Sequence, residues 1–227
     1  GAEISGATSN TYTTTTTGNY YAVVSNACTS ITSSLAAVTN NTAAAIVTQP
    51  AAVTTCAGTS ASFSVAATGT NLTYQWSKNG TPIPGATSSI LTISNVQSLD
   101  AANYSILVTG ACNNVTSSTA ALTVNNPIAI TAQPISQTIC SPTVATLSVT
   151  ATGTNATYQW YQDGVSISGA TSNSYTTTTG GNYYVVVSNS CNSVTSNNTL
   201  VTTNAATSIA SQPASIEVCV GTSASFS

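Results

Sequence analysis

Gly69-Thr70-Asn71-Leu72-Thr73-Tyr74-Gln75-Trp76 returns as Gly153-Thr154-Asn155-Ala156-Thr157-Tyr158-Gln159-Trp160. In each copy large residues alternate with small polar ones: Leu72, Tyr74 and Trp76, then Ala156, Tyr158 and Trp160. Alternation of this kind belongs to a strand with one buried face. The two tryptophans of the chain occupy the same place in the two copies. A large indole in mid-strand can touch both layers of a two-sheet core, so each copy predicts the central strand of a β-sandwich around Trp76 or Trp160.

Working outward, everything else repeats with it. Cys56 to Cys140 is 84 residues, as is Trp76 to Trp160; Cys140 to Cys219 is 79, as is Cys112 to Cys191. At the combined step of 163 the matches tighten. Ala57-Gly58-Thr59-Ser60-Ala61-Ser62-Phe63-Ser64 becomes Val220-Gly221-Thr222-Ser223-Ala224-Ser225-Phe226-Ser227. Gly6-Ala7-Thr8-Ser9-Asn10-Thr11-Tyr12 becomes Gly169-Ala170-Thr171-Ser172-Asn173-Ser174-Tyr175. The repeat is therefore a pair of unlike domains in alternation. Residues 1–43 read as the C-terminal half of a short-type domain and 44–126 as a whole long-type domain. Residues 127–206 read as a whole short-type domain and 207–227 as the start of another long type. We expect the 227 residues to be a window on a longer array.

Strands follow from alternation and punctuation. In the long domain Ile46, Val47 and Val53 open the pattern, with Pro50 where an edge strand tolerates it. Gly58 turns the chain into a strand carrying Phe63 and Val65. The Trp76 strand closes at Asn79-Gly80. Leu91 and Ile93 mark the next strand, then Tyr104, Ile106 and Val108. A final strand is expected over 115–124, and Asn125-Asn126-Pro127 is the joint. The short domain repeats the order through Leu147, Val149, Tyr175, Tyr183, Val185 and Val187. The fold class is all-β: antiparallel sandwiches of seven strands in two sheets, strung as an extended array.

Composition excludes more than it selects. Only 2% of residues are charged; Lys78 is the single basic residue, and net charge is −3. Nucleic acids and anionic membrane surfaces need Lys and Arg, so neither is an expected partner. No apolar run approaches the roughly 20 residues that span a bilayer, so no membrane insertion is expected. Histidine is absent, which removes a Ser–His catalytic pair. The carboxylates Glu3, Asp100, Asp163 and Glu217 are scattered, and none recurs at its repeat position. No catalytic residue, cofactor site or metal site is expected, calcium included. Lys78 reads as a solvated loop lysine and Asp100 as a cap on nearby backbone. Seven Asn-x-Ser/Thr sequons occur, about what so much Asn, Ser and Thr produces by chance.

Asp100-Ala101-Ala102-Asn103-Tyr104 resembles the Asp-x-Ala/Gly-x-Tyr corner of immunoglobulin domains. That resemblance places the hydroxyl of Tyr104, and of Tyr20 and Tyr183 at the matching positions, on nearby backbone. It also exposes a departure. Immunoglobulin domains carry cysteines where this chain has Val65 and Ile106, or Val149 and Val185. The central disulfide is replaced by apolar contact, and the cysteines have moved to turns. The wider pattern is Gln49-Pro50, Cys56-Ala57-Gly58, Tyr74-Gln75-Trp76, Asn79-Gly80, Ile83-Pro84-Gly85-Ala86-Thr87, Asn103-Tyr104 and a turn cysteine, Cys112. It is similar to the tandem immunoglobulin-like repeats of giant secreted surface proteins of Bacteroidota, some of them gliding or attachment adhesins exported by the type IX system. The resemblance implies an extracellular, surface-attached, repetitive and non-enzymatic protein.

Six cysteines without histidine, at fixed repeat positions, point to disulfides in an oxidising compartment rather than zinc. In a sandwich of the immunoglobulin kind the second strand and the corner strand run the same way. Cys56 then sits at the bottom of its domain and Cys112 at the top, roughly 25–30 Å apart at ~3.3 Å per residue. A disulfide needs Cα atoms within about 7 Å. Head to tail, the bottom of one domain meets the top of the next, which pairs Cys56 with Cys191 across the joint. Cys28, Cys112, Cys140 and Cys219 then have partners outside the window. A shifted first strand would instead allow Cys56–Cys112 and Cys140–Cys191. The expected function is a structural segment of an extracellular fibre or adhesin stalk. Its partners are neighbouring repeats of the same chain and other copies in a filament. The alternative is an accessory carbohydrate-binding array on a secreted polysaccharide hydrolase, with Tyr21, Tyr161 and Tyr184 as solvent-facing rings.

Overall fold

The computed structural model describes residues 1–226 and divides into two compact units, Gly1–Val124 and Asn125–Ser227. Among the described residues regular structure is almost entirely strand, with one 3₁₀ turn at Ser98–Asp100.

The first unit is built on one large sheet. Its order is Thr81–Pro82, Thr73–Lys78, Ala102–Thr109, Ala120–Asn125, Val53–Cys56, with Asn114–Thr116 also paired to Ala102–Thr109. The facing layer consists of Ala61–Ser64 paired with Ile90–Ile93, and Ala45–Thr48 paired with Ala66–Thr68. Trp76 lies opposite Ile106 in the ladder between the tryptophan strand and the corner strand. Both are fully buried, with Phe63, Val96 and Tyr104 packed around them. The alternation seen in sequence is thus a true inside–outside pattern: Tyr104, Ile106 and Val108 are buried along Ala102–Thr109 while Asn103 and Leu107 are exposed.

The second unit repeats this plan. Gln137–Cys140, Thr199–Asn204, Gly181–Ser188, Thr157–Gln162 and Val165–Ser166 form the large sheet in that order, and Ala145–Ser148 pairs with Ser174–Thr177 across the core. Here Trp160 opposes Val185. Its neighbours are Leu147, Val149, Tyr183 and Val187. In residues 1–43 two short antiparallel pairs form, Gly18–Tyr20 with Ala36–Val38 and Val23–Ser25 with Ser30–Thr32. No strand is described beyond Asn204.

The single strand expected over 115–124 is two strands, Asn114–Thr116 and Ala120–Asn125. Ser117 makes the break. Its N–H donates to Ile106 O at 2.9 Å, its Oγ accepts from Ile106 N–H at 3.1 Å, and the same hydroxyl donates to Ser118 O at 2.7 Å. A serine that bonds the neighbouring strand through its side chain ends the regular ladder there, and the chain steps across before resuming. Ser196 does the same against Val185.

Candidate functional site

No group of three or more His, Cys, Asp or Glu that could hold a metal lies among the described residues. What recurs instead is a set of structural devices. At the centre, Trp76 Nε1 donates to Ser88 O and Trp160 Nε1 to Ser172 O, each at 2.9 Å. Each indole therefore buries its full surface with its donor satisfied. The preceding glutamine locks the sheet edge: Gln75 Nε2 donates to Ile83 O and Gln159 Nε2 to Ile167 O, both at 2.7 Å.

At the corner, Tyr104 Oη donates to Asp100 O, Tyr183 Oη to Thr179 O and Tyr20 Oη to Thr16 O, each at 2.9 Å and four residues back. Burial pushes the Tyr104 hydroxyl above its ordinary range, and the Asp100 carboxylate adds to this. Burial does the same to Tyr183, partly offset by the hydrogen bond with Thr177. Asp100 shapes the long corner by accepting from Gln97 N–H at 2.9 Å. Lys78 is not the solvated loop lysine expected from sequence. It ends the tryptophan strand, donates to Leu99 O at 2.8 Å and pairs with Asp100 Oδ1 at 3.4 Å. Its place opposite Tyr104 in the ladder sets the amine over the corner.

A third device grips the chain as it enters each domain. Before the long domain, Thr42 N–H donates to Thr70 Oγ1 and Thr70 N–H to Thr42 O. The Asn113 carboxamide then accepts from Ala44 N–H at 2.6 Å and donates to Ala44 O at 3.1 Å. Before the short domain, Asn126 N–H donates to Thr154 Oγ1 and Thr154 N–H to Asn126 O. Asn192 accepts from Ile128 N–H at 2.7 Å and donates to Ile128 O at 3.0 Å. Each side-chain amide pairs with a peptide group as a neighbouring strand would. The incoming chain passes so close to the loop that a β-carbon on Gly69 would lie 2.9 Å from Ala44 Cα, and one on Gly153 would lie 2.8 Å from Pro127 O. Both glycines also have positive φ, 144° and 124°, a conformation that L side chains resist.

The grip is what sequence reasoning misses. Its signals are present: Gly-Thr-Asn opens both copies of the repeated stretch, and asparagine follows both Cys112 and Cys191. The first reads as a strand's approach, and the second is lost in an asparagine-rich composition.

Cys56 ends the strand Val53–Cys56 and is disulfide-bonded, as is Cys191 in the turn after Gly181–Ser188. Cys28, Cys112, Cys140 and Cys219 are free and exposed. Neither within-domain pair, Cys56–Cys112 or Cys140–Cys191, is therefore formed. The Cys112 thiol lies 3.5 Å from Asn41 O, over the chain entering the long domain.

With this geometry in hand, residues 44–124 match the immunoglobulin I-set domain. Solved tandem immunoglobulin structures resemble the chain at the level of fold. The I-band fragment I67–I69 of titin is 18% identical with a TM-score of 0.60, covering 71% of this chain and 66% of that one. Sidekick-1 immunoglobulin domains 1–4 are 21% identical with a TM-score of 0.63, covering 85% and 60%. Extracellular domains 3–5 of Drosophila OTK are 19% identical with a TM-score of 0.54, covering 83% and 71%. No curated protein matches the sequence. The chain is thus a tandem of immunoglobulin-like domains, spanning just under two thirds of the first of these structures. No helix among the described residues is long and apolar enough to cross a membrane.

Proposed function

We propose that this chain is a segment of an extracellular fibre or adhesin stalk, in which long-type and short-type immunoglobulin-like domains alternate and each joint is stiffened twice. The observation that carries the reading is the grip: both domains hold their incoming linker by the same threonine and asparagine contacts. A linker bonded along its length has lost the freedom that lets domains swing. A binding module on a flexible tether has no use for that.

The second stiffening is a covalent staple between Cys56 and Cys191. Supporting it, Cys140 lies level with Asn204 at the end of its domain's last strand, and the repeat makes Cys56 and Asn125 the matching pair. Asn125 Nδ2 donates to Ser190 Oγ, one residue before Cys191. The same rule, continued along a longer array, gives Cys28, Cys112, Cys140 and Cys219 their partners in neighbouring repeats. Such a rod fits the surface proteins of Bacteroidota that the repeat resembles, with other copies of the chain as lateral partners. No catalytic role is assigned to it.

Two measurements test this. Small-angle scattering should find an extended particle, and a globular one would overturn the rod. Non-reducing peptide mapping should recover a Cys56–Cys191 linked peptide; a Cys56–Cys112 or Cys140–Cys191 peptide sinks the staple.

A further inference from the structure

On the outer face of the short-type domain Tyr161 and Tyr184 are cross-strand partners. Their rings stack with centroids 4.8 Å apart and planes 4° apart. Tyr161 covers one face of the Tyr184 ring. Tyr184 also borders an open depression of about 460 Å³, whose other walls are Asp163, Gly164, Asn182 and Asn198. Asp163 is held in place there: it sits in the left-handed conformation at φ 48°, and its Oδ1 accepts from Asn182 N–H at 2.9 Å.

We propose that this depression is a binding site for a neutral glycan. The chemistry of its lining decides the class. One aromatic residue, Tyr184, stands in the wall, and an aromatic side chain can pack against the C–H groups of a pyranose. Around it stand one carboxylate and two carboxamides, which together accept from and donate to vicinal hydroxyls. An apolar ligand would find too little apolar wall, since ligand pockets for such molecules are lined mainly by hydrophobic side chains. An anionic ligand would meet Asp163 with no cation to receive it, because the chain's one basic residue, Lys78, belongs to the long domain's corner.

The site is confined to one domain type. The long domain has Ser77, Asn79, Ser105 and Thr119 where the short one has Tyr161, Asp163, Tyr184 and Asn198. Tyr21 and Asn19 match Tyr184 and Asn182 in residues 1–43, so the aromatic half of the site recurs with the short type. An alternating array would then present sugar sites at every second domain, and their effects would multiply through avidity. The proposal stands apart from the stalk reading: a rod without sugar affinity and a sugar site on a flexible chain are both conceivable, and different experiments report them.

The test is titration of the isotope-labelled 227-residue chain with cellohexaose, laminarihexaose and mannohexaose, followed by amide NMR. At least one should shift Asp163, Asn182 and Tyr184 together, with a dissociation constant of about 1 mM. Tyr184→Ser, which installs the long domain's residue, should weaken binding more than tenfold. Tyr184→Phe keeps the ring and should stay within about threefold of the parent, which guards against simple misfolding. A polygalacturonate oligomer should bind more weakly than the neutral sugars. No shift with any neutral hexasaccharide at about 10 mM, ten times that constant, overturns the proposal. So does undiminished binding by Tyr184→Ser, or a preference for the anionic oligomer.

Discussion

The two complete domains solve one packing problem with the aromatic on opposite strands. In the long domain Phe63 pairs with Leu91 across the second-layer ladder; in the short domain Leu147 pairs with Tyr175 at the same register. Phe63 fills the space between Trp76 and Tyr104, with centroid distances of 6.1 and 5.0 Å. Tyr175 reaches the same space from the facing strand, 6.1 Å from Trp160 and 5.9 Å from Tyr183. One aromatic and one leucine fill the layer in either order, as expected where total volume and patterning are what a core must keep. The corners differ in a parallel way. The long corner uses a 3₁₀ turn and the Lys78–Asp100 pair, while the short one uses Thr177 Oγ1 at 3.0 Å from Tyr183 Oη and Gln162 Nε2 donating to Gly180 O. The hydroxyl-to-backbone bond is common to both, and the scaffold that presents it is free to be ionic or neutral.

The largest effects should come from what the domains share. Trp76→Ala and Trp160→Ala should each cost their own domain about 3–5 kcal/mol, read from urea denaturation. A loss under about 1 kcal/mol at either site would break the equivalence of the two cores. Next comes the exchange itself. Phe63→Leu alone should cost about 1–2 kcal/mol through lost ring contacts and a small void. Phe63→Leu with Leu91→Phe should recover most of that, since the two residues are in contact and couple. A double variant no better than the single one would show that the strand carrying the ring matters after all.

Tyr104→Phe and Tyr183→Phe should each cost about 1 kcal/mol. They also test the alkaline limb of stability. Burial raises both hydroxyls above the ordinary 10.0, so the folded state holds its proton when the unfolded state has lost it. The stabilisation is complete below pH 10.0 and declines as pH rises through the folded-state values. Each Phe substitution should flatten that decline for its own domain, as a pH series of thermal melts would record. The smallest effect is the charge. Lys78→Gln makes the long corner resemble the short one and should cost below about 1 kcal/mol, because both partners are about one-third exposed and surface pairs are weak. Parent stability should change by only a few tenths of a kcal/mol between low and high NaCl.

Most of the frame is legible in the sequence. Trp76 and Trp160 mark the cores, the corner tyrosines mark the crossings, and Asn79-Gly80 marks a tight turn, because each depends on local pattern or turn chemistry. What stays hidden depends on chain segments far apart in sequence. Asn113 meets Ala44 across 69 residues and Asn192 meets Ile128 across 64. Nothing local distinguishes those asparagines from the many others. Lys78 is misleading for the same reason: its acceptor at Leu99 becomes its neighbour only after the strands are paired.

The ladder between Gln137–Cys140 and Thr199–Asn204 is parallel, whereas Ala129–Ala132 pairs antiparallel with Thr150–Thr152. Tension applied at the two ends of the domain loads the parallel ladder lengthwise. In the parallel pair the second and last strands of the domain, Gln137–Cys140 and Thr199–Asn204, are drawn past each other along their own axes. All bonds of the ladder then bear the pull together, and none can yield before the rest. The short-type domain therefore meets a pull along its length with a ladder loaded all at once rather than bond by bond.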